Sequence, residues 1–241
     1  MGNARHYFSC HLSDIRGELH GFWPSGCRFI FRLLLCSVAL AVAASDAERM
    51  QQSVLQRFGA DGVRNLREWR DVLGRAGSSS DNEKLRGVNE FFNRRVLFQE
   101  DTVIWSQLDY WASPLETLGK GAGDCEDFAI AKYFSLIELG VPASRMRLTY
   151  VRARIGGPNS SITQAHMVLS YYTQPEAEPL ILDNLIADIR PAGRRPDLTP
   201  VFSFNSDGVW MAGADRPASS VDRLTRWKDL LIRMKAEGYE P

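Results

Sequence analysis

Gly119-Lys120-Gly121-Ala122-Gly123-Asp124-Cys125-Glu126-Asp127-Phe128-Ala129-Ile130-Ala131-Lys132-Tyr133-Phe134-Ser135-Leu136-Ile137-Glu138-Leu139-Gly140 is a glycine-rich approach followed by a strongly helical run. Helix formers dominate residues 125–139, and Gly140-Val141-Pro142 stops them. Phe128, Ile130, Ala131, Phe134, Leu136 and Ile137 cover most of the circumference, so this helix is expected to be buried on several sides. Its first turn holds a cysteine, Cys125, among three acids, Asp124, Glu126 and Asp127.

On the N-terminal side, residues 51–58, 61–73 and 82–96 place apolar side chains at three- and four-residue spacing and read as three amphipathic helices. Gly77 to Asp81 is a loop ending in a helix cap. Residues 105–118, with Trp105, Tyr110, Trp111 and Pro114, break the pattern and read as a structured loop whose aromatics mostly serve the core. On the C-terminal side the period changes to two. Residues 146–153, 165–172, 180–183 and 201–205 read as strands, and an amphipathic helix over 220–235 closes the chain. Helices first and strands afterwards predict an α+β domain, with N-terminal helices and the Cys125 helix packed on an antiparallel sheet.

Residues 28–45 carry Arg28 and Arg32, then the apolar run Leu33 to Ala44, the pattern of a secretory signal peptide. The apolar run is shorter than the roughly 20 residues of a spanning helix. The expectation is a leader over 1–44, export to the periplasm, and a single domain over 45–241. Of the 29 basic and 29 acidic residues, four and two fall in that leader, leaving a net charge of −2. Such a balance offers no electrostatic footprint for nucleic acid. Cys10, Cys27 and Cys36 go with the leader, as do His6, His11 and His20. Cys125 and His166 remain alone, which excludes an intramolecular disulfide and a zinc site of the usual Cys/His kind.

A thiol in the first turn of a helix faces unpaired backbone N–H groups and the positive end of the dipole, which predicts a lowered pKa and a reactive thiolate. The Cys125 N–H, without a helical acceptor, is then free to receive a developing oxyanion. The bland alternative is a buried structural cysteine. His166 lies in an alternating strand, and an even-length connection returns the chain through Leu180-Ile181-Leu182-Asp183 as a hairpin. Such a hairpin pairs even with odd numbers, so His166 and Asp183 share a face. Asp183 can orient the imidazole, and His166 can take the thiol proton, which makes Cys125, His166 and Asp183 a candidate triad. The second oxyanion donor is sought among Trp105, Tyr110 and Trp111. The carboxylates of Asp124, Glu126 and Asp127 should repel a thiolate unless something neutralises them. Hard oxygen donors suit Ca²⁺, although three acids fall short of the six to eight ligands it takes. On spacing alone, acids that merely complement the helix dipole are the stronger reading.

Gly123-Asp124-Cys125-Glu126-Asp127-Phe128-Ala129, Ala165-His166-Met167-Val168-Leu169 and Leu180-Ile181-Leu182-Asp183-Asn184, in this order, resemble the bacterial transglutaminase-like cysteine proteinases of the LapG type. Trp111-Ala112-Ser113-Pro114 and Ser203-Phe204-Asn205 extend the likeness, which runs from about residue 51 to the C-terminal helix. The resemblance implies a papain-like, transglutaminase-like fold with Cys125, His166 and Asp183 as triad and Asp124, Glu126 and Asp127 as calcium ligands. It also implies a periplasmic, calcium-dependent endopeptidase that clips the N-terminal region of a large surface adhesin and so disperses biofilm. The inhibitory partner it implies is an inner-membrane receptor for cyclic di-GMP. Two rivals remain open: the same triad passing its acyl group to an amine, as a transglutaminase or cell-wall amide acyl transferase, and a non-catalytic calcium-dependent binding module.

Overall fold

The computed structural model describes the backbone of residues 25–239 and the side chains of residues 48–239. The chain divides into two compact units, Met1–Ser45 and Asp46–Pro241. The leader expected over residues 1–44 lies outside the described side chains, and residues 1–24 lie outside the described backbone as well. Among the described residues no helix is long and apolar enough to cross a membrane.

Helix α1 (Ser25–Ala76) is interrupted at Gly59, whose φ of 71° and ψ of −163° are open chiefly to glycine. The break separates the two helical segments expected over 51–58 and 61–73. Helix α2 (Asp81–Arg95) starts one residue earlier than expected, so Ser80 and not Asp81 is its cap, with the Ser80 N–H donating to Glu83 Oε2 at 2.9 Å. Strand β1 (Leu97–Phe98) follows, then α3 (Asp101–Ile104), α4 (Pro114–Lys120) and strand β2 (Ala122–Gly123). The expectation of a loop over 105–118 is therefore corrected at its end. Ser113 caps α4, Pro114 opens it, and Ser113 and Glu116 satisfy each other's backbone N–H groups at 3.0 and 3.1 Å. This is a capping box with proline at the first helical position, a signal legible in Ser113-Pro114-Leu115-Glu116.

Helix α5 (Cys125–Glu138) is the predicted buried helix. After it come β3 (Met146–Arg154), β4 (Thr163–Tyr171), β5 (Leu180–Leu182), β6 (Arg190–Pro191), β7 (Leu198–Asn205) and β8 (Gly208–Met211), and the chain closes with α6 (Thr225–Ala236). The six strands form one antiparallel sheet in the order β6-β5-β4-β3-β7-β8. The sequence reading lacked β6 and β8, which are two and four residues long and too short to show a period.

One face of the sheet, through Leu148, Met167, Leu169 and Phe204, joins Phe128, Ile130, Tyr133 and Phe134 of α5 in the main core. Val151, Val168 and Ile181 form a small cluster on the other face, as the alternation of side chains requires. Trp227 of α6 stacks on Phe134 with ring centroids 5.4 Å apart. Two buried side-chain hydrogen bonds pin the helices together: Trp69 Nε1 donates to Ser135 Oγ at 2.8 Å, and Asn65 Nδ2 donates to the Leu118 carbonyl at 2.8 Å. Helix α5 thus has little freedom to shift, because a displaced turn would leave buried polar groups unpaired.

Candidate active site

The start of α5 is built by a close approach. A Cβ on Gly123 would stand 2.7 Å from Asp127 Cβ, so only glycine lets the Asp127 side chain fold back against the strand before it. In that position Asp127 Oδ1 accepts the Ala112 N–H at 2.8 Å and Oδ2 accepts the Asp124 N–H at 3.4 Å. Asp127 therefore ties the segment before α4 to the residue that caps α5. The parallel pairing of β1 with β2 adds a second tie, with the Gln99 N–H donating to the Gly123 carbonyl at 3.0 Å. Cys125 is the first residue of α5 and half-buried.

β4 and β5 pair with Leu169 opposite Leu182 and Tyr171 opposite Leu180, the even-with-odd register expected of this hairpin. His166 on β4 and Asp183 at the end of β5 consequently lie on one face. His166 Nε2 and Asp183 Oδ1 are 2.8 Å apart, with His166 2% and Asp183 1% exposed. Asp183 Oδ1 also accepts the Leu185 N–H at 3.0 Å, and Oδ2 accepts Arg195 Nη2 at 2.7 Å. Helix α2 holds the main chain here: Asn93 Nδ2 donates to the Asp183 carbonyl and Asn89 Nδ2 to the Ala187 carbonyl, each at 2.8 Å. Burial alone would raise the Asp183 carboxyl. The hydrogen bond and charge of His166, with Leu185 N–H and Arg195, outweigh it and hold the pKa down at about 2. An ionised Asp183 accepts from Nε2–H, which leaves Nδ1 as the ring nitrogen available to a second partner.

Cys125 Sγ lies 2.9 Å from Glu126 Oε2, and the Met167 N–H, one residue along β4 from His166, also reaches the sulfur. Burial first, then the Glu126 carboxylate, push the thiol pKa up. The lowered value expected from the helix N-terminus is corrected accordingly. A partial dipole charge, felt only within the first turn, is outweighed by desolvation and by a full negative charge in contact.

The acids form a larger cluster than the sequence showed. Ligand-capable oxygens of Asp101, Asp124 and Asp127 lie within 4.8 Å of one another, as do those of Asp101, Asp109 and Glu126. Asp101 opens α3 and is 2% exposed, and its Oδ2 accepts the Tyr110 N–H. Burial, then the charges of Glu126, Asp109 and Glu100, bring its pKa up to about 6. Burial together with Glu126, Asp127 and Asp101 brings Asp124 up to about 10, and burial takes Asp127 well above the carboxylate range. Asp101 Oδ1, Asp109 Oδ1 and Asp124 Oδ1 are buried without a hydrogen-bond partner among the described residues. Orphaned, mutually repelling carboxylate oxygens converging at one place fit a hard divalent cation with oxygen ligands. Asp124, Glu126 and Asp127 come together as expected, although both Asp127 oxygens also accept backbone N–H groups. Asp101 and Asp109 were missed because they lie 15 to 25 residues before the motif, at the start of α3 and on the loop after it, whose path no local pattern reveals.

Of the aromatics considered as oxyanion donors, Tyr110 uses its hydroxyl on Glu116 Oε1 at 2.9 Å. Trp105 Nε1 and Trp111 Nε1 are buried without a hydrogen-bond partner among the described residues, and Trp111 stacks on Phe204 at 5.4 Å in the core. Two buried cations near Asp183, Arg195 and Lys132, also escaped the sequence reading.

The arrangement combines a thiol at a helix start with a buried imidazole and carboxylate from the adjoining hairpin, beside a cluster of acids. A family model for bacterial transglutaminase-like cysteine proteinases matches residues 71–197. Among solved structures, the EGTA-treated form of Legionella pneumophila LapG is 39% identical, covering 78% of this chain and 96% of that one with a TM-score of 0.68. The calcium-bound form of the same protein is 40% identical over 78% and 98% of the two chains, with a TM-score of 0.65. A search of the curated proteins finds no match.

Proposed function

Because the chain belongs to the bacterial transglutaminase-like cysteine proteinases, we propose that it cleaves a polypeptide through Cys125, His166 and Asp183, with calcium bound beside the nucleophile. The observation that carries the reading is the buried contact of His166 Nε2 with Asp183 Oδ1 at 2.8 Å, on the strand that borders Cys125. In the reaction, the thiol proton passes to His166 Nδ1 while Nε2–H stays on Asp183, and the thiolate attacks the scissile carbonyl. The Cys125 N–H, free of any helical acceptor, receives the oxyanion. His166 then gives its proton to the departing amine, leaving a thioester on Cys125. Water, deprotonated by the same ring, hydrolyses the thioester and restores the thiol.

Asp101, Asp109, Asp124 and Glu126, backed by Asp127, would hold the cation. When bound it would supply positive charge against their repulsion on the thiolate, and Glu126, which otherwise takes the thiol's hydrogen bond, would serve as one of its ligands. The neighbour solved both calcium-bound and EGTA-treated supports this reading. On the same likeness we assign the substrate to the N-terminal region of a large surface adhesin, the compartment to the periplasm, and restraint to an inner-membrane cyclic di-GMP receptor. Processing of that adhesin would promote biofilm dispersal.

Cys125→Ala should abolish cleavage with unchanged thermal unfolding, and His166→Ala should lose as much, because members of one catalytic unit are not additive. The products of a candidate adhesin fragment, followed by mass analysis, should show new termini. A cross-linked product would favour amine transfer instead, and activity of Cys125→Ala within tenfold of wild type would remove the nucleophile assignment.

A further inference from the structure

Asp183 is served by more than the imidazole. Among the described residues its Oδ2 accepts from a single side chain, Arg195 Nη2 at 2.7 Å, while His166 and Leu185 N–H both go to Oδ1. The ion pair is withdrawn from water, with side-chain exposures of 1% for Arg195 and 0% for Asp183. Arg195 is in turn gripped from its other edge. Its Nε reaches Asp197 Oδ1 at 3.0 Å and Oδ2 at 3.2 Å, and Nη2 reaches Asp197 Oδ2 at 2.8 Å. Nη2 thus bridges two carboxylates, and the planar fork that makes this possible belongs to arginine and not to lysine.

We propose that Arg195 is a positioning residue for the reaction: by holding Asp183 Oδ2 it sets the plane of the carboxylate, and so the direction in which Oδ1 aims the His166 ring, with Asp197 fixing Arg195 in turn. This inference rests on the reading of Cys125, His166 and Asp183 as the reacting centre. The other cation nearby does not duplicate the role. Lys132 feels the Asp183 charge, but its Nζ has no hydrogen-bond partner among the described residues. Without Arg195, Oδ2 is a buried acceptor lacking a donor, and rotation of the carboxyl toward any other donor carries Oδ1 away from Nε2.

A structural ion pair and a positioning one differ in what they move. The test compares Arg195→Met, Arg195→Lys and Asp197→Asn with wild type in two ways. Steady-state cleavage of a peptide substrate reads kcat and KM, and proton NMR of the calcium-loaded protein reads the downfield ring N–H of His166 bound to Asp183. Arg195→Met should lower kcat at least tenfold with KM within threefold, and should shift the His166 proton or lose it to exchange. Arg195→Lys should recover part of kcat, and Asp197→Asn should lie between Arg195→Lys and wild type. If folded Arg195→Met or Arg195→Lys keeps kcat within twofold and the His166 proton in place, the proposal is overturned, even if thermal stability falls. Should Arg195→Met fail to fold, Arg195→Lys decides by the same criteria. If wild type itself cleaves nothing, the functional reading fails, while the NMR comparison still decides whether Arg195 orients His166 through Asp183.

Discussion

Lys132 shows at the scale of one residue how the site's surroundings bear on stability. It sits two turns into α5 from Cys125, 1% exposed, with its ammonium 5.6 Å from the Phe128 ring centroid. Burial, only partly offset by the Asp183 charge, brings its pKa down to about 7. A lysine whose folded pKa lies below its unfolded value binds fewer protons folded than unfolded between the two. Stability therefore rises with pH from about 7 to about 10.4. Lys132→Met, of similar length and without a charge to desolvate, should be more stable than wild type by roughly 1 to 4 kcal/mol at pH 6.5. That gap should close as the pH approaches 10. Urea unfolding at the two ends of the range measures it, and a constant difference would mean that Lys132 keeps its proton in the fold across the range, as the unfolded chain does.

At the scale of elements, short α4 carries more of the site than its length suggests. Its cap residue Ser113 is fully buried, and the chain just before it donates the Ala112 N–H to Asp127 at the start of α5. Ser113→Ala removes the acceptor for the Glu116 N–H in a place water cannot reach. It should cost about 1 to 2 kcal/mol. A surface cap mutation would cost less, and a value under about 0.5 kcal/mol in chemical denaturation would show that α4 is held by packing alone. The helix was legible in retrospect from Ser113-Pro114-Leu115-Glu116. It was hidden because seven residues are too few for an amphipathic period to stand out.

For the whole molecule, a cation held by acids from α3, the following loop and α5 would bind the folded chain and not the unfolded one. At free calcium about 100-fold above its dissociation constant the gain is about 2.7 kcal/mol. For a chain of this size that should appear as a rise in unfolding temperature of roughly 5 to 10 °C, reversed by chelator. Asp101→Asn should lose most of the rise, because it removes charge from the residue common to both acid groupings. Magnesium should reproduce it poorly, since that ion requires a tighter octahedron than a mixed carboxylate cluster offers. Equal unfolding temperatures with calcium and with chelator would return the acids to complementing the helix dipole.

The sequence by itself determined the α+β class, the buried helix starting at Cys125, the hairpin and the shared face of His166 and Asp183. These follow from periods of 3.6 and 2 and from parity of register, all local properties of the chain. Tertiary structure alone decided that Asp101 and Asp109 join Asp124 and Glu126, that burial adds to the foreseen carboxylate repulsion in raising the Cys125 thiol against the dipole, and that Arg195 grips Asp183. Those outcomes depend on loop paths and on how much water is excluded around a charge. A desolvation cost arises only when separate elements close over a group, so no pattern of neighbouring letters records it.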